Sequence, residues 1–473
     1  MILKHRQHCA WLMAVVLLWP GYTLGDGDPR AELLEILQRF NIDRQAVGLY
    51  IEPLDGGNAV EHHADQPRHP ASVIKLLTTL VALEVLGPTY TWRTDIYGST
   101  PTANGTVDGD LVLRGGGDPF LVTEQFWKLL KGLRDRGVRH VNGDLIIDDS
   151  LFASTASDRG AFDGKPYRAY NVPPYALLVN FGVTRFVIRP QPAANTIHVF
   201  ADPPATNLVV DNRMTLQSSG CPRPALRVQH TSEVTTVTLT GSYALTCREF
   251  SLYRSVMPHP EYVTGVFKAL WRDLDGTHAG GVRIEPNKPE QDLLHGHESQ
   301  TLAESIRHVN KFSNNVMAQQ LLLTLAVNRF GTPGTTANGI AALHEWLATS
   351  ELRMPELVID NGAGLSRATR ISPRSLGRIL AAGMRSTYQP EFVASLPLLA
   401  ADGALTKRLP NAAVNGRIRV KTGLVDHVRS LAGYVTARSG HRFIVVLMLN
   451  QHNIHRSRGA QAQDAVLKWL LEQ

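Results

Sequence analysis

Ser72 and Lys75 stand three positions apart in the run Pro70-Ala71-Ser72-Val73-Ile74-Lys75-Leu76-Leu77-Thr78-Thr79. A serine hydroxyl becomes a useful nucleophile only when a neighbouring base takes its proton. A lysine one helical turn away is such a base once burial or a nearby cation lowers its pKa. Pro70 suits the first position of a helix, where its missing N–H costs nothing. The spacing therefore predicts a helix from Pro70 to about Leu86, with Ser72 and Lys75 on one face. Its N-terminus would favour negative charge on an attacked carbonyl oxygen. Alone, the pair is common and carries little weight.

Two later stretches add to it. Ser313-Asn314-Asn315 stands where a helix begins, and Lys421-Thr422-Gly423 ends a strand. Ser313 can relay a proton between Lys75 and a leaving amine. Asn315 can hold Lys75 and a substrate amide by hydrogen bonds. Lys421 supplies positive charge, Thr422 a hydroxyl for a substrate carboxylate, and Gly423 room for substrate backbone at a strand edge. Singly, these residues read as helix caps and a turn. Together and in this order they match a site for acyl transfer through serine. No His/Asp/Cys cluster has metal-ligand spacing, so neither metal nor cofactor is expected. His427 reads as a rim residue rather than a general base.

The elements that must position these residues fall into three stretches. Ala31–Phe40 reads as an amphipathic helix and Val47–Ile51 as a strand, ahead of the Ser72 helix. From about Thr91 to Gly281, short β-type runs alternate with turn signals, around one helix at Glu124–Arg136. The loop Gly115-Gly116-Gly117 lacks a following Gly-Lys-Ser/Thr and reads as a tight turn rather than a phosphate cradle. Helical spacing returns at 302–309, 314–330, 336–350 and 373–384. Strands then follow at 417–421, 431–435 and 443–449, and a last helix at 461–471. The expected architecture is one α/β domain (26–90 and 282–473) split in sequence by a β-rich insert (91–281).

The chain has 473 residues, 43% of them hydrophobic, and a formal net charge of +6 without a dense Lys/Arg block. That is enough for a large core and argues against nucleic-acid binding. Residues 1–25 have the basic start, short apolar stretch and small-residue end of a secretory signal, with no stable membrane anchor after its removal. The mature chain then holds one cysteine pair, Cys221 and Cys247, which in an exported protein reads as a disulfide.

Several segments resemble the D-alanyl-D-alanine carboxypeptidase/endopeptidase family, the class C low-molecular-mass penicillin-binding proteins. They are the Ser72 run, Gly116-Gly117-Asp118-Pro119, Lys311-Phe312-Ser313-Asn314-Asn315, Gly364-Leu365-Ser366-Arg367 and Leu431-Ala432-Gly433-Tyr434. The long interval between Ser72 and Ser313 also looks like that family rather than a compact β-lactamase. The resemblance implies a penicillin-recognising fold and a periplasmic serine peptidase. Its partners would be peptidoglycan stem peptides and cross-links, with β-lactams as acylating inhibitors. It also implies an oxyanion hole formed by the Ser72 and Leu424 N–H groups. Asp158 would face the amino group of a diamino acid side chain. Two departures stand out. Asn361 replaces the family's usual aspartate, with Asp360 beside it. Leu424 replaces a hydroxyl residue, which tilts the expectation from carboxypeptidase toward endopeptidase activity. A β-lactamase or esterase on the same fold, or a silent wall-binding homologue, remain the alternatives.

Overall fold

The structure is a computed structural model describing residues 28–154, 158–286, 291–409, 414 and 416–473. The expected signal at 1–25 lies outside the described residues.

The two ends of the chain meet in an antiparallel five-stranded sheet. Its order is Ile418–Val425, Val428–Thr436, Arg442–Asn450, Val47–Pro53, Val60–His62. Successive side chains of a strand point to opposite faces, and here both faces are covered. Ile444, Val446 and Met448 join a core with the helix Lys75–Leu86. Val445, Leu447 and Leu449 join another with the helices Pro29–Gln38 and Ser457–Leu471. That double burial is why this strand reads as an unbroken apolar run. Lys75 through Leu83 are all buried, as expected of a helix that is apolar all round. The helices Leu302–Phe312 and Asn315–Phe330 pack beside it.

The Ser72 segment differs from expectation in one respect. The α-helix begins at Lys75, and Ala71–Ile74 form a 3-10 turn ahead of it. Ala71 has φ +48°, which interrupts helical geometry just after Pro70. Ser72 is thus held on a tight turn that runs directly into the N-terminus of the α-helix.

The intervening residues build further sheets. A mixed five-stranded one has the order Val282–Ile284, Leu145–Asp148, Leu111–Arg114, Arg93–Gly98, Asp292–Glu298. Pairing of Asp292–Glu298 with Arg93–Gly98 carries this sheet past residue 281. The sequence reading of this stretch missed the helix His259–Asp273. Its Pro residues, Gly265 and β-branched side chains resemble strand and turn signals. Yet Tyr262, Val263, Val266, Phe267, Leu270 and Trp271 are buried at helical spacing, against the core that also holds Phe126 and Leu130. The Gly115–Gly117 loop is committed to backbone packing. Gly115 N–H donates to Asp148 O and Gly117 N–H to Ala176 O, and a Cβ on Gly116 would lie 1.9 Å from Arg93 O.

Cys221 and Cys247 are joined in a disulfide, 26 positions apart. Closing a loop of that length restricts the unfolded chain by about 3 kcal/mol in the chain-entropy model. The double variant Cys221→Ser/Cys247→Ser is expected to unfold at lower denaturant concentration by about that free energy, read from a urea titration.

Candidate active site

Lys75 is fully buried, and its Nζ reaches three oxygen atoms. They are Ser72 Oγ at 3.0 Å, Asn315 Oδ1 at 2.7 Å, and the Ala363 carbonyl in a short contact. None of the three is charged. Burial, reinforced by the nearby Lys421 cation, holds the Lys75 pKa well below its ordinary value. A neutral amine has two N–H donors and one lone pair. Asn315 Oδ1 and the Ala363 carbonyl can only accept, so they take the two donors. The lone pair then faces Ser72 Oγ, which is a hydroxyl able to donate. Asn315 is itself oriented, because its Nδ2 donates to Tyr170 O at 3.2 Å.

Lys421 is the second buried amine. Its Nζ donates to Ser313 Oγ at 2.8 Å and to Thr422 O at 2.7 Å. Burial lowers its pKa to about 7. Ser313 has φ +58° and joins the helices Leu302–Phe312 and Asn315–Phe330, a conformation uncommon for a non-glycine residue and enriched at functional sites. The capping work falls to Asn314, whose side chain accepts from Met317 N. Ser313 and Asn315 are left free to reach the lysines.

Strand Ile418–Val425 lies at the edge of the central sheet. Lys421 and Gly423 are buried on it, Thr422 is half-buried and Leu424 is 55% exposed. A Cβ on Gly423 would come within 2.6 Å of Pro70 O and 2.9 Å of Ser72 N. The chain's own nucleophile turn, rather than substrate, therefore fills the space beside this glycine, which lets the strand pass directly over Ser72.

The structure thus gathers Ser72, Lys75, Ser313, Asn315, Lys421 and Gly423 at one place, with Thr422 and Leu424 adjoining on the strand. It does not bond Asp158 to this group. Asp158 is exposed and its Oδ1 accepts from Gly160 N at 2.7 Å, closing its own turn. The loop beyond it does reach the site: Tyr170 O meets Asn315, and Phe162 lies under the Arg367 guanidinium at 4.4 Å. His427 occupies the turn after the edge strand, where its Nδ1 accepts from Asn453 N at 3.0 Å.

Asn361 proves to be a fastener of the Ala363 turn. Its Oδ1 accepts from Ala363 N at 3.1 Å and its Nδ2 donates to Leu365 O at 2.7 Å. A carboxylate could not make the second bond. Asp360 is exposed. The Ala363 and Tyr170 carbonyls are site groups that the sequence reading missed, since a backbone oxygen leaves no mark in residue type.

Comparison with known proteins identifies the family. The model of the D-Ala-D-Ala carboxypeptidase 3 (S13) family matches residues 30–473. D-alanyl-D-alanine carboxypeptidase DacB of Haemophilus influenzae is 26% identical over 407 residues, 81% of this chain and 80% of the relative. The D-alanyl-D-alanine carboxypeptidase of Actinomadura sp. strain R39 is 28% identical over 420 residues, 85% of this chain and 77% of the relative. Penicillin-binding protein 4 of Haemophilus influenzae superposes with a TM-score of 0.76 at 21% identity, covering 94% of this chain and 100% of that one. That protein has also been solved with a β-lactam bound. The match of fold thus covers nearly the whole chain. Since the family model spans almost the whole described sequence, the chain belongs to the D-Ala-D-Ala carboxypeptidase 3 (S13) family.

Proposed function

We propose that this protein is an exported serine DD-peptidase acting on D-alanyl bonds of peptidoglycan stem peptides and cross-links, and that β-lactams acylate the same serine. The observation that carries the reading is the buried Lys75 amine, whose Nζ lies within hydrogen-bonding distance of Ser72 Oγ, Asn315 Oδ1 and the Ala363 carbonyl; once it is neutral, the last two take its N–H groups and its lone pair is left for Ser72 Oγ. Family membership supports the substrate class.

An extended peptide aligns along the edge strand Ile418–Val425, as a β-strand added to a sheet. Lys75 takes the Ser72 hydroxyl proton as Oγ attacks the D-alanyl carbonyl. The oxyanion is received by the N–H groups of Ser72 and Leu424. Collapse breaks the C–N bond, and the leaving amine receives its proton through Ser313, with Lys421 holding that hydroxyl. Water then attacks the acyl-enzyme, again with Lys75 as base, and restores Ser72. Thr422 offers a hydroxyl to a terminal carboxylate, but Leu424 adds only an exposed apolar surface. That pairing supports endopeptidase action on cross-links beside carboxypeptidase action. No helix among the described residues is long and apolar enough to cross a membrane, and the N-terminal signal directs the chain to the periplasm.

The test is D-alanine release from a synthetic stem pentapeptide, followed across pH, with a cross-linked muropeptide dimer run in parallel. Two coupled lysines predict a bell-shaped kcat/KM. Protonation of Lys75 removes the base on the acid side. Loss of the Lys421 proton, whose pKa lies at about 7, removes the cation on the alkaline side. A rate flat from pH 5 to 10, or full activity in Ser72→Ala, contradicts the mechanism.

A further inference from the structure

We propose that a cleft on the inserted segment, remote in sequence from the serine motif, binds a neutral saccharide chain. The cleft lies between the helix Thr123–Asp135 and the strands Thr184–Gln191, Thr196–Asp202 and Phe250–Arg254, and has a volume of about 570 Å³. That is the size of a small-ligand site.

Two large rings line it in the open. Trp127 is 40% exposed and Tyr253 is 51% exposed. Single exposed apolar residues need no explanation, but rings gathered in one concavity mark a binding surface. Phe181 adds a third ring. It and its neighbour Asn180 hold φ of +57° and +45°, a left-handed conformation that a bulky residue adopts only where its surroundings impose it, and one that clusters at ligand clamps. The wall is anchored to the peptidase body: Val183 packs in a small buried cluster with Val316, the neighbour of Asn315.

The charged residues in the cleft decide what these rings would meet. Glu124 and Asp202 balance Lys128 and Arg185. Arg185 and Asp202 are bonded to each other at 2.7 Å. With no surplus of either sign, an anionic or cationic ligand gains little from the site. A neutral polyhydroxyl ligand suits it. Pyranose C–H faces lie on aromatic faces, while the carboxylates and cations accept from and donate to hydroxyls, the Arg185–Asp202 pair in fixed directions. On the peptidase reading, which this inference extends, the ligand is the glycan strand that carries the stem peptides.

The probe is the β-1,4-linked N-acetylglucosamine tetramer, titrated into the full chain by calorimetry and tryptophan fluorescence. One saturable equivalent is expected. Trp127→Ala and Tyr253→Ala should each weaken it by about tenfold or more, and Trp127→Phe should recover most of the loss. Benzylpenicillin acylation measured on the same variants is expected to be unchanged. It reports the fold and the serine site, so failure of the peptidase reading is seen separately from failure of this one. Absence of saturable tetramer binding overturns the proposal. So does binding that neither alanine variant weakens, or a sugar-free stem peptide that occupies the cleft in place of the tetramer.

Discussion

Replacing Lys75 by methionine is expected to slow acylation of Ser72 by about a thousandfold, the effect of losing a positioned general base. Methionine keeps the length and burial of the side chain but has neither a basic lone pair nor a donor. Ser72 Oγ then keeps its proton in a site whose other groups are already committed: Lys421 to Ser313 and Thr422 O, Asn315 Nδ2 to Tyr170 O. Asn315 Oδ1 and the Ala363 carbonyl lose their buried donor, at about 1–3 kcal/mol each. The variant should therefore fold with a lowered melting temperature and form its benzylpenicillin adduct over hours. An adduct forming at the wild-type rate would mean that another group is the base.

Asn315→Asp carries the second-largest expected effect, and a sharper signature. The side chain is nearly isosteric, but its carboxylate would stand where Oδ1 lies 2.7 Å from Lys75 Nζ. An opposite charge that close typically raises a lysine's pKa by about 1–3 units. It would undo the effect of burial and of Lys421, which now hold this amine low. At neutral pH the amine would stay protonated, so acylation should fall by about ten- to a thousandfold. The loss should shrink as pH rises and the proton is released, because the acid limb has moved upward. The carboxylate also cannot donate to Tyr170 O, so rescue should be incomplete. A loss equal at all pH values would assign Asn315 a purely structural part.

Much of this site was legible because its chemistry lies in side chains of restricted type. Ser72, Lys75, Ser313, Asn315 and Lys421 could be picked out from three short stretches, and the structure brings them together. The central sheet was legible for a related reason: Arg442–Asn450 and Val428–Thr436 are long, apolar and β-branched. What escaped was set by tertiary contact. The Ala363 and Tyr170 carbonyls act through the backbone. The 3-10 turn at Ser72 depends on close packing against Gly423 and Gly364, where a Cβ on Gly364 would lie 2.1 Å from Ala71 O. The helix His259–Asp273 hides behind strand-like residues whose spacing matters only once Phe126 and Leu130 supply the facing surface. The reason for Gly423 was likewise hidden, since the residues it admits lie about 350 positions earlier in the chain.

Covalent attack by Ser72 is the step on which the roles of Lys75, Ser313, Asn315 and Lys421 all depend. Intact-mass analysis after brief exposure to benzylpenicillin, followed over time with Ser72→Ala alongside, reads that step itself. A single stable adduct with the mass of the whole drug, mapping to Ser72 and absent from the alanine variant, is the expected result. An adduct that vanishes within seconds as drug is consumed would make the protein a β-lactamase. No adduct, or one that survives in Ser72→Ala, would show that Ser72 is not the nucleophile.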